Sequence, residues 1–363
     1  MKYRSDKLQF VAYNSYLLIS CQNFRIILSM KIENIPLAQI ALDPPQWDQY
    51  VFTFPLAPGP VLESIQAVGL QQPVVLALEK EKYFIVIGVR RLLACRQLEW
   101  KKIPAVVVHE GTPENLLWLS LQEKRGGRPL NAMEKSRVLQ RFAELWAGDL
   151  ERLQKEICPL LELPPTIAAV ESYLFLKQVP DHLHHELADG RLTPQHTDLL
   201  RPLRPEDRRV AADRLFGAHR VSLQEAREIL ENASGLAARE NQRVREIFER
   251  PEVKDLFAGE QYSPRQRTMR LRTWLHEQRY PQLSALAQQF EELAQALAAD
   301  KPIAVKPPRD FEGKEITVSF RAQQPKEVQE ILAALKEVDK QAVWEKLFAL
   351  LHGELDTESN RMD

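Results

Sequence analysis

Between Met30 and about His109 the apolar positions change rhythm several times. Ile32-Glu33-Asn34-Ile35-Pro36-Leu37 has the pattern of a short strand. Val61, Leu62, Ile65 and Val68 then recur at helical spacing behind Pro60, and Gly69 stands where a helix C-cap belongs. Pro73 to Leu78 is a β-branched run, Glu79 to Lys82 a polar turn, and Tyr83 to Ile87 a second run that stops at Gly88. The spacing predicts a helix from Arg90 to about Leu98 and a third strand from Ile103 to Val108. Such alternation belongs to a small α/β domain, and its sharpest feature is a strand, a glycine and an arginine-bearing helix start.

From Thr112 onward the period is helical. Helices are expected at Glu114–Glu123, Asn131–Ala147, Leu150–Leu161, Thr166–Gln178, Asp181–Asp189, Pro194–Leu203, Pro205–Phe216 and Ser222–Asn232. With Pro164-Pro165, Pro180, Pro194 and Pro205 near helix starts, this run suits a compact bundle containing a helix-turn-helix. Ala233-Ser234-Gly235 reads as a linker into a charged helical region, Leu236 to about Ala299. Ile303-Ala304-Val305 and Ile316 to Phe320 then look like a hairpin pair around Phe311-Glu312-Gly313-Lys314, and Val328, Ile331, Leu332 and Leu335 mark an amphipathic helix. No internal repeat or low-complexity tract is evident.

The expected class is therefore α+β and multidomain. An extension covers 1–29, a small α/β domain 30–128, and an all-α helix-turn-helix bundle 129–232. A charged helical region follows over 236–300, a small hairpin-and-helix module over 301–353, and a disordered tail over 354–363.

The length of 363 residues allows roughly two to three domains. Lys and Arg number 49 against 50 Asp and Glu, and a net charge of -1 excludes a histone-like polycation. Local basic patches stay open, and those are what nucleic acid needs. Cys21, Cys95 and Cys158 are far apart and form no C-x-x-C pair, so a disulfide framework or thiolate zinc site is not expected. A reducing cytoplasm is the natural compartment. No stretch reaches the ~18 apolar residues of a membrane helix. Lys2, Arg4 and Lys7 precede the apolar patch Tyr16 to Ser20, but Asn14, Gln22, Asn23 and Arg25 interrupt it, which argues against a signal peptide. The regular pattern begins at Met30, and the true domain and start codon are expected there.

The chemistry concentrates at Gly88. A glycine permits a tight turn, and the exposed N–H groups of a following helix start favour an anion. Arg90 and Arg91 add guanidinium forks suited to phosphate oxygens. From Glu81 to Arg128 there are 9 Lys/Arg against 5 Asp/Glu, a local net of +4. The plainer alternative is that both arginines solvate a helix start.

Four segments, Ser64 to Val75, Tyr83 to Cys95, Ile103 to Val107 and Leu130-Asn131-Ala132-Met133-Glu134-Lys135, carry a resemblance when taken in order. They resemble ParB-type partition proteins, whose N-terminal domain has S-I-x-x-x-G-L-x-Q-P entering a strand, then G-E-R-R-x-R-A, and later L-N-P-I-E-E. Leu176 to Leu200 resembles the helical part that follows the family's helix-turn-helix, so the likeness covers roughly Met30 to Asn232. It implies that Gly69, Leu70, Gln72 and Pro73 line the base side of a nucleotide pocket and that Gly88, Arg90 and Arg91 hold phosphates. It implies CTP with Mg as ligand, and DNA, a second copy of the chain and a ParA-type ATPase as partners, with no membrane. The implied setting is bacterial chromosome or plasmid partition, or related transcription.

The departures bear on activity. Val89 stands where the family has Glu, and Leu93 replaces its third basic residue. Where E-N-x-x-R is expected, the chain reads Glu123-Lys124-Arg125-Gly126-Gly127-Arg128-Pro129. Glu123 is the only candidate left for a metal-facing carboxylate, so phosphate binding is expected to outlast hydrolysis. The competing reading is a non-enzymatic scaffold that keeps both folds and uses its C-terminal module for protein contacts.

The helix-turn-helix expectation runs from Leu150 to Leu176, turning near Leu163-Pro164-Pro165, with Thr166–Phe175 as the recognition helix. It offers Thr166, Ser172 and Tyr173, with Lys177 beyond, but also Glu171. Residues 151–231 hold 11 Lys/Arg against 14 Asp/Glu, which opposes a phosphate backbone. Residues 261–280 make a better case, with Arg265, Arg267, Arg270, Arg272 and Arg279 against one acid, Glu277, interleaved with Tyr262, Trp274 and Tyr280. The first four of those arginines are the expected DNA contacts, unless they only form a solvated face. His182, His184 and His185 do not converge on one helix face and predict no metal site. Cys95 invites comparison with sulfiredoxin but lies a turn too deep on its helix, so a buried small residue is expected.

Overall fold

The computed structural model describes residues 9–13, 16–21, 24–29, 31–42, 48–217, 221–258, 261–298, 303–336 and 338–352. The expected start at Met30 and the expected tail 354–363 lie outside these residues. The chain divides into two compact units, Met1–His219 and Arg220–Asp363.

The first unit opens with β1 (Gln9–Tyr13), β2 (Tyr16–Cys21) and β3 (Phe24–Ser29), an antiparallel sheet in that order. Within residues 1–29, where only an extension was expected, the chain thus builds a sheet. The central sheet uses β4 (Ile32–Pro36), with α1 (Pro60–Val68) leading into β5 (Val74–Glu79) and β6 (Lys82–Ile87). Helix α2 (Val89–Gln97) then crosses to β7 (Lys102–Val108). The strand order is β4-β7-β5-β6, with β5 parallel to β7 and the other pairings antiparallel. Lys80 and Glu81 make the β5–β6 turn at positive φ. One sheet face buries Ile35, Val74, Leu76, Ile85 and Val107 against Ile65 of α1 and Leu92 and Cys95 of α2. A hairpin followed by a helical crossover therefore places the start of α2 at the end of β6, beside β5.

The opposite face carries Ala77, Val86 and Val108. Against it lies α3 (Pro113–Arg125), in which Leu116 to Leu121 are all buried because sheet and bundle cover it from both sides. Next come α4 (Ala132–Leu145), α5 (Leu150–Arg152), α6 (Ile167–Phe175), α7 (His184–Ala188), α8 (Pro194–Asp198) and α9 (Pro205–Phe216). Val138, Leu139 and Phe142 of α4 and Val170 of α6 join the same core, which runs without a break across residue 128. A capping box starts α4: the Asn131 side chain accepts from the Glu134 N–H, and Glu134 accepts from the Asn131 N–H.

The segment expected as one helix over Leu150–Leu161 is instead broken. After α5 it continues as a π turn, Leu153–Ile157, and a 3-10 turn, Cys158–Leu161. Pro159 supplies no N–H and Glu162 adopts φ 56°, so an α-helix has no way to continue.

The second unit consists of α10 (Leu223–Arg239), α11 (Val244–Phe248), α12 (Pro251–Phe257), α13 (Pro264–Arg279) and α14 (Pro281–Ala298), then β8 (Ile303–Lys306), β9 (Thr317–Phe320), α15 (Pro325–Leu335) and α16 (Val338–His352). Ala233-Ser234-Gly235 is not a linker here but lies inside α10. Ala226, Ile229, Leu230, Ala233, Leu236 and Ala237 form a buried stripe that carries the helix through it. Gly235 fits that context because the Arg279 guanidinium crosses it, 2.6 Å from where a Cβ would stand. Strand β8 pairs antiparallel with β9, with Ile303 opposite Phe320 and Val305 opposite Val318. Their core takes in Phe290, Leu297, Ile331, Leu347 and Leu350.

Candidate functional site

Gly88 ends β6 and starts α2 in the left-handed region, at φ 93° and ψ 32°. No side chain caps α2, so its first N–H groups have no side-chain acceptor and are suited to an anion. The Arg91 guanidinium folds back over the glycine, 3.0 Å from where a Cβ would stand. From there it donates to the carbonyls of Gln72 and Pro73, both at 3.0 Å. Arg90 donates to the Pro55 carbonyl from Nε at 3.1 Å and from a terminal nitrogen at 2.8 Å. Each arginine thus spends part of its donor fork on the backbone, which fixes its position.

Around this helix start lies a cavity of about 360 Å³. Gly88, Arg90, Arg91, Gln72 and Glu123, all named from the sequence, line it. The other three expected pocket residues have supporting places. Gly69 caps α1 at φ 77°, Leu70 packs against the sheet core, and Pro73 gives its carbonyl to Arg91.

Further lining comes from residues the sequence reading did not single out, namely Thr53, Ser120, Lys124 and Arg128. Lys124 and Arg128 were visible as cations in Glu123 to Arg128. Their target was not, because Glu134 meets them only once α4 has folded back on α3. Glu134 is fully buried. It accepts from Lys124 Nζ at 2.9 Å and from both terminal nitrogens of Arg128 at 2.8 Å. The N–H groups of Phe54 and Asn131 add bonds at 3.2 Å. Burial alone would push the Glu134 carboxyl up, but the Arg128, Lys124 and Phe54 bonds together hold it below the ordinary carboxylate value.

Arg91, Lys124 and Arg128 with the open helix start suit a chain of phosphates. A metal fits less well. Among the described residues, Glu123 is the one carboxylate lining the cavity, and no three His, Cys, Asp or Glu side chains gather to hold an ion. Octahedral magnesium would have to take most of its oxygens from phosphate and water.

The recognition-helix candidates are placed differently. Thr166 is the N-cap of α6, accepting from the Ala169 N–H. Ser172 is buried and its hydroxyl donates to Asp198, so it points into the bundle rather than toward a groove. Tyr173 is half-buried against the core, and burial raises its hydroxyl. Lys177 reaches Glu144 at 3.4 Å, and Glu171 pairs with Arg201 at 3.1 Å. His182 turns to Asp213, and His184 to the Val179 carbonyl. Cys95 is fully buried, and burial pushes its thiol up to about 11.

In the second unit, Ser263 and Gln266 form a capping box at the start of α13. Arg265 and Arg270 are exposed, and Arg270 lies 4.3 Å above the Tyr262 ring. Arg267 is half-buried. Arg272 is committed elsewhere, to Glu228 at 2.5 Å and Glu225 at 3.6 Å, and so departs from the expected set of four phosphate contacts. Arg279 is likewise committed, to the Glu231 carbonyl and to Asn232, both at 3.0 Å.

Comparison with known proteins gives a family match over residues 59–124, to the ParB N-terminal domain. A nucleoid occlusion protein of Bacillus cereus (strain AH187) is 29% identical over 145 residues, 40% of this chain and 48% of its own length. That of Bacillus mycoides (strain KBAB4) is 29% identical over the same shares. The chain thus spans about half the length of these relatives. Among solved structures, the C-terminally truncated chromosome-partitioning protein ParB from Caulobacter crescentus, complexed to the centromeric parS site, is 21% identical with a TM-score of 0.31. That match covers 55% of this chain and 98% of the other. The complex of the Caulobacter protein with CTP-gamma-S is 23% identical with a TM-score of 0.23, over 50% and 96%. Residues 59–124, which include Gly88 and Arg91, thus match a ParB N-terminal domain.

Proposed function

We propose that this protein binds a nucleoside triphosphate of the CTP type at the start of α2 and associates with DNA, in chromosome or plasmid partition or related transcriptional control. The carrying observation is the cavity itself. An uncapped helix start behind Gly88 meets Arg90, Arg91, Lys124 and Arg128 in one space of about 360 Å³, within the usual range of ligand pockets. The α/β fold supplies the anion site, and Gln72, Thr53 and Ser120 add uncharged polar lining. With Glu123 as the single carboxylate among the described lining residues, the site is read as binding rather than hydrolysing the triphosphate.

The DNA part rests on two surfaces. One is the segment from α5 to α6, read as a helix-turn-helix with Thr166 and Lys177 at its accessible ends. The other is the exposed Arg265 and Arg270 with Tyr262 in the second unit. A second copy of the chain is a proposed partner through β9, whose residues are all exposed. The ParA-type partner follows from the family resemblance alone.

The scaffold reading also has an observation in its favour, since Arg90 and Arg91 already hold backbone carbonyls. Thermal unfolding separates the two. A ligand that binds only the folded state at 100 times its dissociation constant stabilises by about 2.7 kcal/mol. Saturating CTP is therefore expected to raise the melting temperature visibly, and no shift with any nucleoside triphosphate at millimolar concentration would support the scaffold.

A further inference from the structure

Lys124 and Arg128 face two ways. Both line the cavity, and both are bonded behind its wall to the fully buried Glu134. Lys124 lies in the last turn of α3, Arg128 sits in the loop beyond it, and Glu134 lies in the first turn of α4. The same carboxylate takes the Phe54 and Asn131 N–H groups, so one anion ties together the cavity wall, the loop around Phe54 and the start of α4. Asn131 strengthens that knot by donating from its side chain to the Phe54 carbonyl at 2.9 Å.

We propose that Glu134 is a resident counter-anion of the nucleotide pocket, from which an incoming triphosphate takes over Lys124 and Arg128. This rests on the nucleotide reading above. Two cations shared between one carboxylate and several phosphate oxygens cannot bond both fully, because ammonium and guanidinium donors have fixed number and direction. Ligand affinity is therefore reduced by the hold of Glu134. By reciprocity, a bound triphosphate loosens the grip of Glu134 on the knot at Phe54 and α4. Glu134 touches no ligand in this scheme; it positions the two residues that do.

The test titrates inorganic triphosphate into the full chain, wild type and Glu134→Gln, at low and high salt. Glutamine keeps the size and one acceptor oxygen, enough for one of the two backbone N–H groups, but gives up the charge that competes. The variant is expected to bind about tenfold more tightly at low salt, since bonds to charged groups each carry ~1.5–3 kcal/mol, with the advantage shrinking as salt rises. Equal or weaker binding by a folded variant overturns the proposal while leaving the pocket in place. If neither protein binds, the pocket itself is rejected and the proposal falls with it. Should Glu134→Gln fail to fold, amide hydrogen exchange at Phe54 and Asn131 in wild type decides. Faster exchange with triphosphate bound supports the takeover, and unchanged or slower exchange overturns it.

Discussion

Removing the Glu134 side chain strands two backbone N–H groups and two cations at once. Glu134→Ala is expected to destabilise the protein by about 1–3 kcal/mol, the cost of leaving buried donors unsatisfied now that the half-exposed Arg128 can turn to water, measured by denaturant unfolding. Because the folded carboxyl lies below its unfolded value, its charge stabilises the fold at neutral pH. That contribution falls away as pH drops through the carboxylate range, so wild type should lose stability there and Glu134→Gln should lose less. Cys95 behaves oppositely. A buried thiol at about 11 holds almost no thiolate near neutrality. Alkylation of Cys95 at pH 8 is expected only after unfolding, and rapid labelling of native protein would contradict the burial. Residues differ likewise in how much of this is legible in sequence. Gly88 and Arg91 are readable because the turn that needs a glycine and the helix start that follows are local. Glu134 is readable only as the third residue of a capping box, since its two cations arrive through tertiary folding.

Among elements, the β4–β7 sheet region follows the alternation of its apolar runs closely, because each strand is bounded by its own turn chemistry. The helices mislead where a local signal meets a tertiary one. Ala233-Ser234-Gly235 has linker composition, yet the stripe from Ala226 to Ala237 packs it into α10. Leu150–Leu161 has helical period, yet Pro159 and Glu162 break it. Helix α13 shows the same conflict in its charges. Five arginines within 261–280 look like one basic face, but Arg272 and Arg279 are spent on α10. Each phosphate contact adds about 0.9 to the slope of log affinity against log salt. Replacing Arg265 and Arg270 with alanine is therefore expected to flatten the DNA-binding slope by about 1.8, whereas Arg272→Ala should mainly lower stability. An unchanged slope in the double variant would move DNA recognition to α6 and Lys177.

At the scale of the whole molecule, the proposed pairing of two copies turns on β9. Val318 and Phe320 share the face of their partners Val305 and Ile303, yet are 38% and 37% exposed because the sheet ends there. An antiparallel pair of β9 strands centred on Val318 would set Ile316 against Phe320 and Glu315 against Arg321 of the second copy, closing the edge with matched faces and charges. Val318→Lys is expected to shift sedimentation from dimer toward monomer, and an unaffected dimer would place the interface elsewhere. Function, however, turns on the pocket behind Gly88. An alanine there would take a left-handed conformation costing about 1–2 kcal/mol and would press against the Arg91 guanidinium. Calorimetric titration of CTP tests this most directly. Wild type should give a saturable heat, and folded Gly88→Ala should bind about tenfold more weakly. Wild-type protein that shows no heat with CTP, CDP or ATP at millimolar concentration would contradict the account.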